Sequence, residues 1–158
     1  MALANVTTPH DSKTNRSLHI AKVADYLRNM RVVSLVPSWT EYLHELNVNV
    51  VGQTKFCVRP EVAFRNVPRI GGTKTVNLDK VMSLSPDLVV ANREENEQAQ
   101  VTALMNALPD AEVVLTDVRN VKEAWSEMLR LGERTEKGKE ARRTVSYTHL
   151  RAHETDRY

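Results

Sequence analysis

An α/β fold is predicted, a Rossmann-like lobe with a mainly parallel sheet of about four strands flanked by helices. Three observations carry that prediction. Short runs rich in Val and Leu recur at 31–36, 49–54, 87–92 and 112–116. Between them stand stretches whose apolar residues repeat at helical spacing, and Pro, Gly or Asn marks the changes from one to the other. Strands that alternate with helices imply a parallel sheet covered on both faces.

The first 16 residues are polar and rich in Thr, Asn, Asp and Ser, the composition of a disordered start. Residues 1–30 therefore read as a polar extension, within which Ile20, Val23, Ala24, Leu27 and Met30 space an amphipathic helix over 18–29. RVVSLV at 31–36 reads as a buried strand. Ser38 with Glu41 has the spacing of a capping box behind Pro37, opening a helix whose apolar face is Tyr42, Leu43 and Leu46. NVVGQT at 49–54 is the second strand. Asn77 suits the N-cap of a short helix over 78–84, stopped by Pro86, with Leu78, Val81 and Leu84 inward. DLVVAN at 87–92 is the third strand, and Asn92 with Glu95 is read as the cap of the next helix, striped by Val101, Leu104, Met105 and Leu108. EVVLT at 112–116 is the fourth strand. Asn120 with Glu123 then caps a helix lined by Val121, Ala124, Trp125, Met128 and Leu131, which is expected to end at Gly132.

Composition excludes several classes. In 158 residues, 41% are hydrophobic and 27% charged, which suits one soluble α/β domain. The net charge of +2 comes from 22 basic and 20 acidic residues interspersed along the chain, so no footprint for nucleic acid appears. One cysteine permits no internal disulfide. No run approaches the roughly 20 apolar residues of a membrane span, so no membrane insertion is expected, and the N-terminus lacks a basic start followed by an apolar stretch. The compartment is therefore not legible in the chain.

In parallel sheets ligands gather outside the carboxyl ends of the strands. The loops there are PSW at 37–39, TKFCVRP at 54–60, RIGGTKT at 69–75, ANREEN at 91–96 and TDVRN at 116–120. Gly71 and Gly72 let backbone approach a ligand or simply make a turn, and no phosphate-loop spacing surrounds them. Cys57 is open to three readings: a buried small hydrophobe, a ligand contact, or a metal or redox group that needs partners from elsewhere. Glu94 and Glu95 suit the first turn of a helix through its dipole, and Glu94 is also a candidate for cation binding. Trp39 is either exposed at the cleft rim or packed on the lobe, and packing is the favoured reading. His10, His19 and His44 are scattered.

The ordered series VVSLVPSWTEYL, VVGQTKFCVRP and VPRIGGTKTVNLDKVMSLSPDLVVAN resembles the N-terminal lobe of helical-backbone substrate-binding proteins of ABC importers, the class that captures cobalamin, ferric siderophores and haem. The resemblance runs over residues 31–132. It implies two α/β lobes joined by a long helix, a ligand clasped between them, no catalysis, no intrinsic cofactor, and a permease and ATPase as partners. The periplasm or another extracytoplasmic space is the compartment it implies. By position it places Phe56 where cobalamin-binding members pack an aromatic on the corrin ring, while Ile70 and Gly71 stand where those members carry a tryptophan. Arg59 stands where similar chains have histidine. The expected ligand wall is Phe56, Cys57, Arg59, Gly71, Gly72, Asn92, Arg93 and Glu94, with Asn92 and Arg93 pointing into one cleft. Asp79 matches an acidic position that docks the permease.

Residues 133–144 resemble the start of the connecting helix, truncated here, so the second lobe is missing. One reverse translation of 145–155 matches a transposase end plus adapter used in sequencing libraries, and 145–158 is therefore expected to be translated adapter. On that expectation His149, His153 and Glu154 are not candidate metal ligands. A single lobe of this kind is expected to fold marginally and bind poorly. Two other readings are an intracellular Rossmann-like enzyme, which the PSWTE loop after the first strand does not favour for want of glycines, and a soluble corrinoid or iron chaperone.

Overall fold

The computed structural model describes residues 30–155, with side chains described through Thr148. The expected helix over 18–29 lies outside the described residues. Four parallel strands form one sheet in the order β2-β1-β3-β4. They are β1 (Val32–Ser34), β2 (Val50–Gln53), β3 (Leu88–Asn92) and β4 (Glu112–Thr116). Six helices are described: α1 (Pro37–Glu45), α2 (Glu61–Asn66), α3 (Leu78–Ser83), α4 (Gln98–Ala107), α5 (Val121–Arg134) and α6 (Gly138–Thr155). The expected α/β class and parallel sheet are what the molecule has.

The central strands are covered on both faces. Val32 and Val33 of β1 and Val89, Val90 and Ala91 of β3 are all 0% exposed, so successive residues are buried whichever way they point. Burying each such valine or leucine contributes roughly 1.5–3 kcal/mol. From the β1–β3 pair the chain winds outward in opposite directions, through α1 to β2 and through α4 to β4. Right-handed crossovers then put α1 and α4 on opposite faces. α5 lies beside α1, where the Tyr42 hydroxyl donates to the Met128 carbonyl at 2.8 Å. α6 folds back on α5. A Cβ on Gly132 would meet the Ala141 Cβ at 2.2 Å, so the missing side chain is what lets the two helices touch.

Local signals explain some ends and not others. Asn77 and Asn120 cap α3 and α5 as expected, accepting from the amides of Lys80 at 2.9 Å and Glu123 at 3.0 Å. The capping box at Ser38 and Glu41 does not form. Val36 is the N-cap of α1 and Pro37 the first helical residue, because a proline has the helical φ already set and no amide to leave unpaired. The Thr40 amide closes that first turn on the Val36 carbonyl at 2.9 Å. Asn92 does not cap α4 either. It ends β3, and its side-chain oxygen accepts from the Glu94 amide at 2.8 Å in a turn, while α4 begins at Gln98. α5 runs past Gly132 to Arg134, since the helix contact with α6, not a left-handed end, is what needs the glycine. α2 has no counterpart in the sequence reading.

Candidate functional site

The strand order places the reversal of winding between β1 and β3, the position where open α/β sheets leave a crevice at their carboxyl ends. Around it the loops separate into two surfaces of different character.

The first surface follows β2. Phe56 is 51% exposed and Val58 55%, both in the loop between β2 and α2, with Arg59 exposed beside them. The Lys55 ammonium sits 5.1 Å from the Phe56 ring centroid. An exposed ring with an ammonium over its face is an apolar platform with positive charge beside it. Beneath it, Cys57 is 1% exposed, its sulfur 3.0 Å from the Thr40 hydroxyl and 3.2 Å from that of Thr54. The thiol therefore packs beneath the loop and is not placed on its exposed face. The neighbouring turn starts at Gly71, whose φ of 114° is a left-handed conformation that a side chain would strain. Gly72 is buried, donates to the Thr75 carbonyl at 3.1 Å and lies against the edge of Phe56. Gly71 and Gly72 thus build a tight turn that supports the platform. The Lys55 amide donates to the Gly71 carbonyl at 2.8 Å, which joins the two loops.

Two residues unremarked in the sequence hold this turn from the far side. Asn96 donates to the Thr73 carbonyl at 2.7 Å, and Gln100 donates to the Lys74 carbonyl while accepting from the Val76 amide at 3.0 Å. Asn96 stands in the bend before α4 and Gln100 in its first turn, so their common role is visible in the sequence only once the turn's position is known.

The second surface is an open groove of about 500 Å³ between α1 and α5. Tyr42 and Met128 line its apolar floor, and Glu41, Glu45, Glu94 and Glu95 its rim. Burial, and then the charge of Glu94, raise the Glu95 carboxyl above the usual range. Burial, and then Glu45, likewise push the Tyr42 phenol upward. Trp39 is buried at the head of the groove, 7% exposed, as the packing expectation had it.

Asn92 and Arg93 do not enter one cleft. Asn92 and Glu94 border the α1–α5 groove, whereas Arg93 borders a separate hollow of about 180 Å³ with Asn96, Val101 and Leu115. Consecutive residues leaving a strand point to opposite faces, which accounts for the split. Asn92 is itself committed, donating to the Thr116 hydroxyl at 3.2 Å, and Arg93 approaches Asp117 at 3.7 Å. Asp79 is exposed in the first turn of α3, a position the helix dipole favours for a carboxylate without further reason. Among the described residues no group of three or more His, Cys, Asp or Glu is arranged to hold a metal ion, and no helix is long and apolar enough to cross a membrane.

The family model for periplasmic binding proteins matches residues 32–149. The chain belongs to the periplasmic binding protein family. Among curated members of similar sequence, the vitamin B12-binding protein of Salmonella typhi is 26% identical over 73% of this chain and 43% of its own length. A periplasmic haem-binding protein from Pseudomonas aeruginosa shares the fold with a TM-score of 0.70 at 20% identity, over 77% of this chain and 44% of that one. A siderophore-binding protein, bound to two molecules of acinetobactin and ferric iron, superposes with a TM-score of 0.63 at 22% identity, over 75% of this chain and 44% of that one. The chain thus spans less than half the length of these periplasmic binding proteins, and the match lies on one α/β lobe.

Proposed function

We propose that this chain is the N-terminal lobe of an ABC-importer substrate-binding protein whose cargo is an anionic, partly apolar metal chelate: a corrinoid, a haem or a ferric siderophore. The observation that carries the proposal is the half-exposed Phe56, with the Lys55 ammonium over its ring, exposed Arg59 in the same loop and the Gly71–Gly72 turn packed against it, at the carboxyl end of a parallel sheet. An aromatic ring buries ligand surface with few rotors to freeze, and the arginine fork pairs with carboxylates in a way a lysine does not. Relatives named for vitamin B12 and structural neighbours named for haem and ferric acinetobactin support that chemical class. The work is capture and hand-over, with no bond made or broken. Delivery to a permease and ATPase belongs to the same proposal, with Asp79 as the docking carboxylate on this lobe.

The test is titration of the full-length protein with hemin, cyanocobalamin and a ferric catecholate siderophore. Binding of one of them, weakened by Phe56→Ala and by Arg59→Ala, is the expected result. If both substitutions leave the affinity for every bound chelate unchanged, the platform is not the site.

A further inference from the structure

Gln53, the last residue of β2, is wholly buried. A buried primary amide is tolerated when its hydrogens are matched, and here both are. The side-chain nitrogen donates to the Cys57 carbonyl and to the Ala63 carbonyl, each at 3.3 Å. Those two carbonyls bracket Val58, Arg59 and Pro60, so one amide closes the loop that carries the cationic platform onto the start of α2. The backbone of the same residue serves the other wall. Its amide donates to the Pro68 carbonyl at 3.0 Å and its carbonyl accepts from the Ile70 amide at 2.9 Å, which fixes the strand-like stretch running into Gly71 and Gly72. Gln53 thus bonds to both segments that bring Phe56 against the glycine turn, beside the direct bond from the Lys55 amide to the Gly71 carbonyl.

The remaining atom of the amide fixes which way round it sits. The Gln53 oxygen faces the imidazole of His44 on α1, within electrostatic reach but without hydrogen-bond geometry. Turning the amide over would set that oxygen against two carbonyls. Two donor bonds outweigh one imperfect contact, so the orientation that grips the loop is the stable one.

We propose that Gln53 is the positioning residue of the ligand wall, setting where Phe56 and Arg59 stand relative to the Gly71–Gly72 turn. The inference rests on the reading that Phe56 touches cargo. Gln53→Met keeps the volume and removes the two donors, and Gln53→Glu keeps the shape and replaces the donors with acceptors. Two measurements in the full-length protein decide the matter. The first is amide hydrogen exchange: residues 55–59 and 71–73 are expected to exchange about tenfold faster in Gln53→Met while the β1 and β3 amides keep their protection. The second is a double-substitution cycle with Phe56→Ala, read by hemin titration. If Gln53 acts through Phe56, the doubly substituted protein binds hemin no more weakly than the worse single variant. Strictly additive losses, or unchanged exchange over 55–59 in both Gln53 variants, overturn the inference. An unchanged hemin affinity in Phe56→Ala alone counts instead against the functional reading, because the exchange result still reports on the positioning.

Discussion

The indole of Trp39 donates to the hydroxyl of Thr116 at 2.9 Å, fastening the first turn of α1 to the end of β4 across the crevice. That hydroxyl is a junction. It also accepts from the Asn92 side chain at 3.2 Å and donates to the Ala91 carbonyl at 2.9 Å, so one buried oxygen serves three elements.

Thr116→Val keeps the shape and leaves two buried donors unpaired. The expected cost is about 1–3 kcal/mol in urea unfolding, and Thr116→Ser is expected to recover most of it. Equal stability of the valine and serine variants would show that the junction contributes nothing net.

Asn120 and Ser38 look alike in the sequence, each three residues ahead of a glutamate, yet only Asn120 caps a helix. Asn120→Ala is expected to lower stability by about 1 kcal/mol. Ser38→Ala is expected to stay within about 0.5 kcal/mol of the parent. Thermal melts followed by circular dichroism compare the two directly.

Gly132→Ala places a methyl where the Ala141 methyl already stands. Overpacking of this kind costs typically about 1–3 kcal/mol, because α5 and α6 must move apart. The paired variant Gly132→Ala with Ala141→Gly moves the methyl across the contact and is expected to regain stability, as denaturant midpoints will show.

Burial lowers the pKa of His44 below the ordinary histidine value, and the contact with Gln53 only partly opposes it. The unfolded chain then binds the proton more readily than the folded one, so this contribution to stability is present above about pH 6.5 and is lost as the pH falls through the folded pKa. Glu95 runs the other way. Its raised carboxyl contributes stability at low pH that is lost as the pH rises through the folded value. Denaturant midpoints measured across acid pH are expected to show a flatter slope in His44→Gln just below pH 6.5, and a higher midpoint at neutral pH in Glu95→Gln.

The sheet was legible because its strands carry their own boundaries. EVVLT at 112–116 is β4 to the residue, set off by the Pro109-Asp110 turn before it and Asp117 after it. α2 was not legible, since Ala63 is its one buried residue and Val62 is 72% exposed, which leaves no apolar stripe to detect. Asn92 misled for a related reason. An asparagine whose oxygen closes a turn and one whose oxygen caps a helix have the same sequence signature, and only the next six residues of backbone decide between them. At the site, the exposed ring of Phe56 follows from the loop's place after β2. The parting of Asn92 from Arg93 follows from strand alternation once β3 is known to end at Asn92. The role of Gln53 had no local signal, because its partners lie four and ten positions away, one in a loop and one in the helix that the sequence did not reveal.

The α1–α5 groove has a consequence for how a charged solute approaches the lobe. Its rim carries four glutamates, and the platform after β2 carries Lys55 and Arg59. A negatively charged solute drifting toward the strand ends is pushed away from one side and drawn to the other before it makes any contact. The lobe thus has a landing side and a forbidden side, and the bias between them weakens as salt is added.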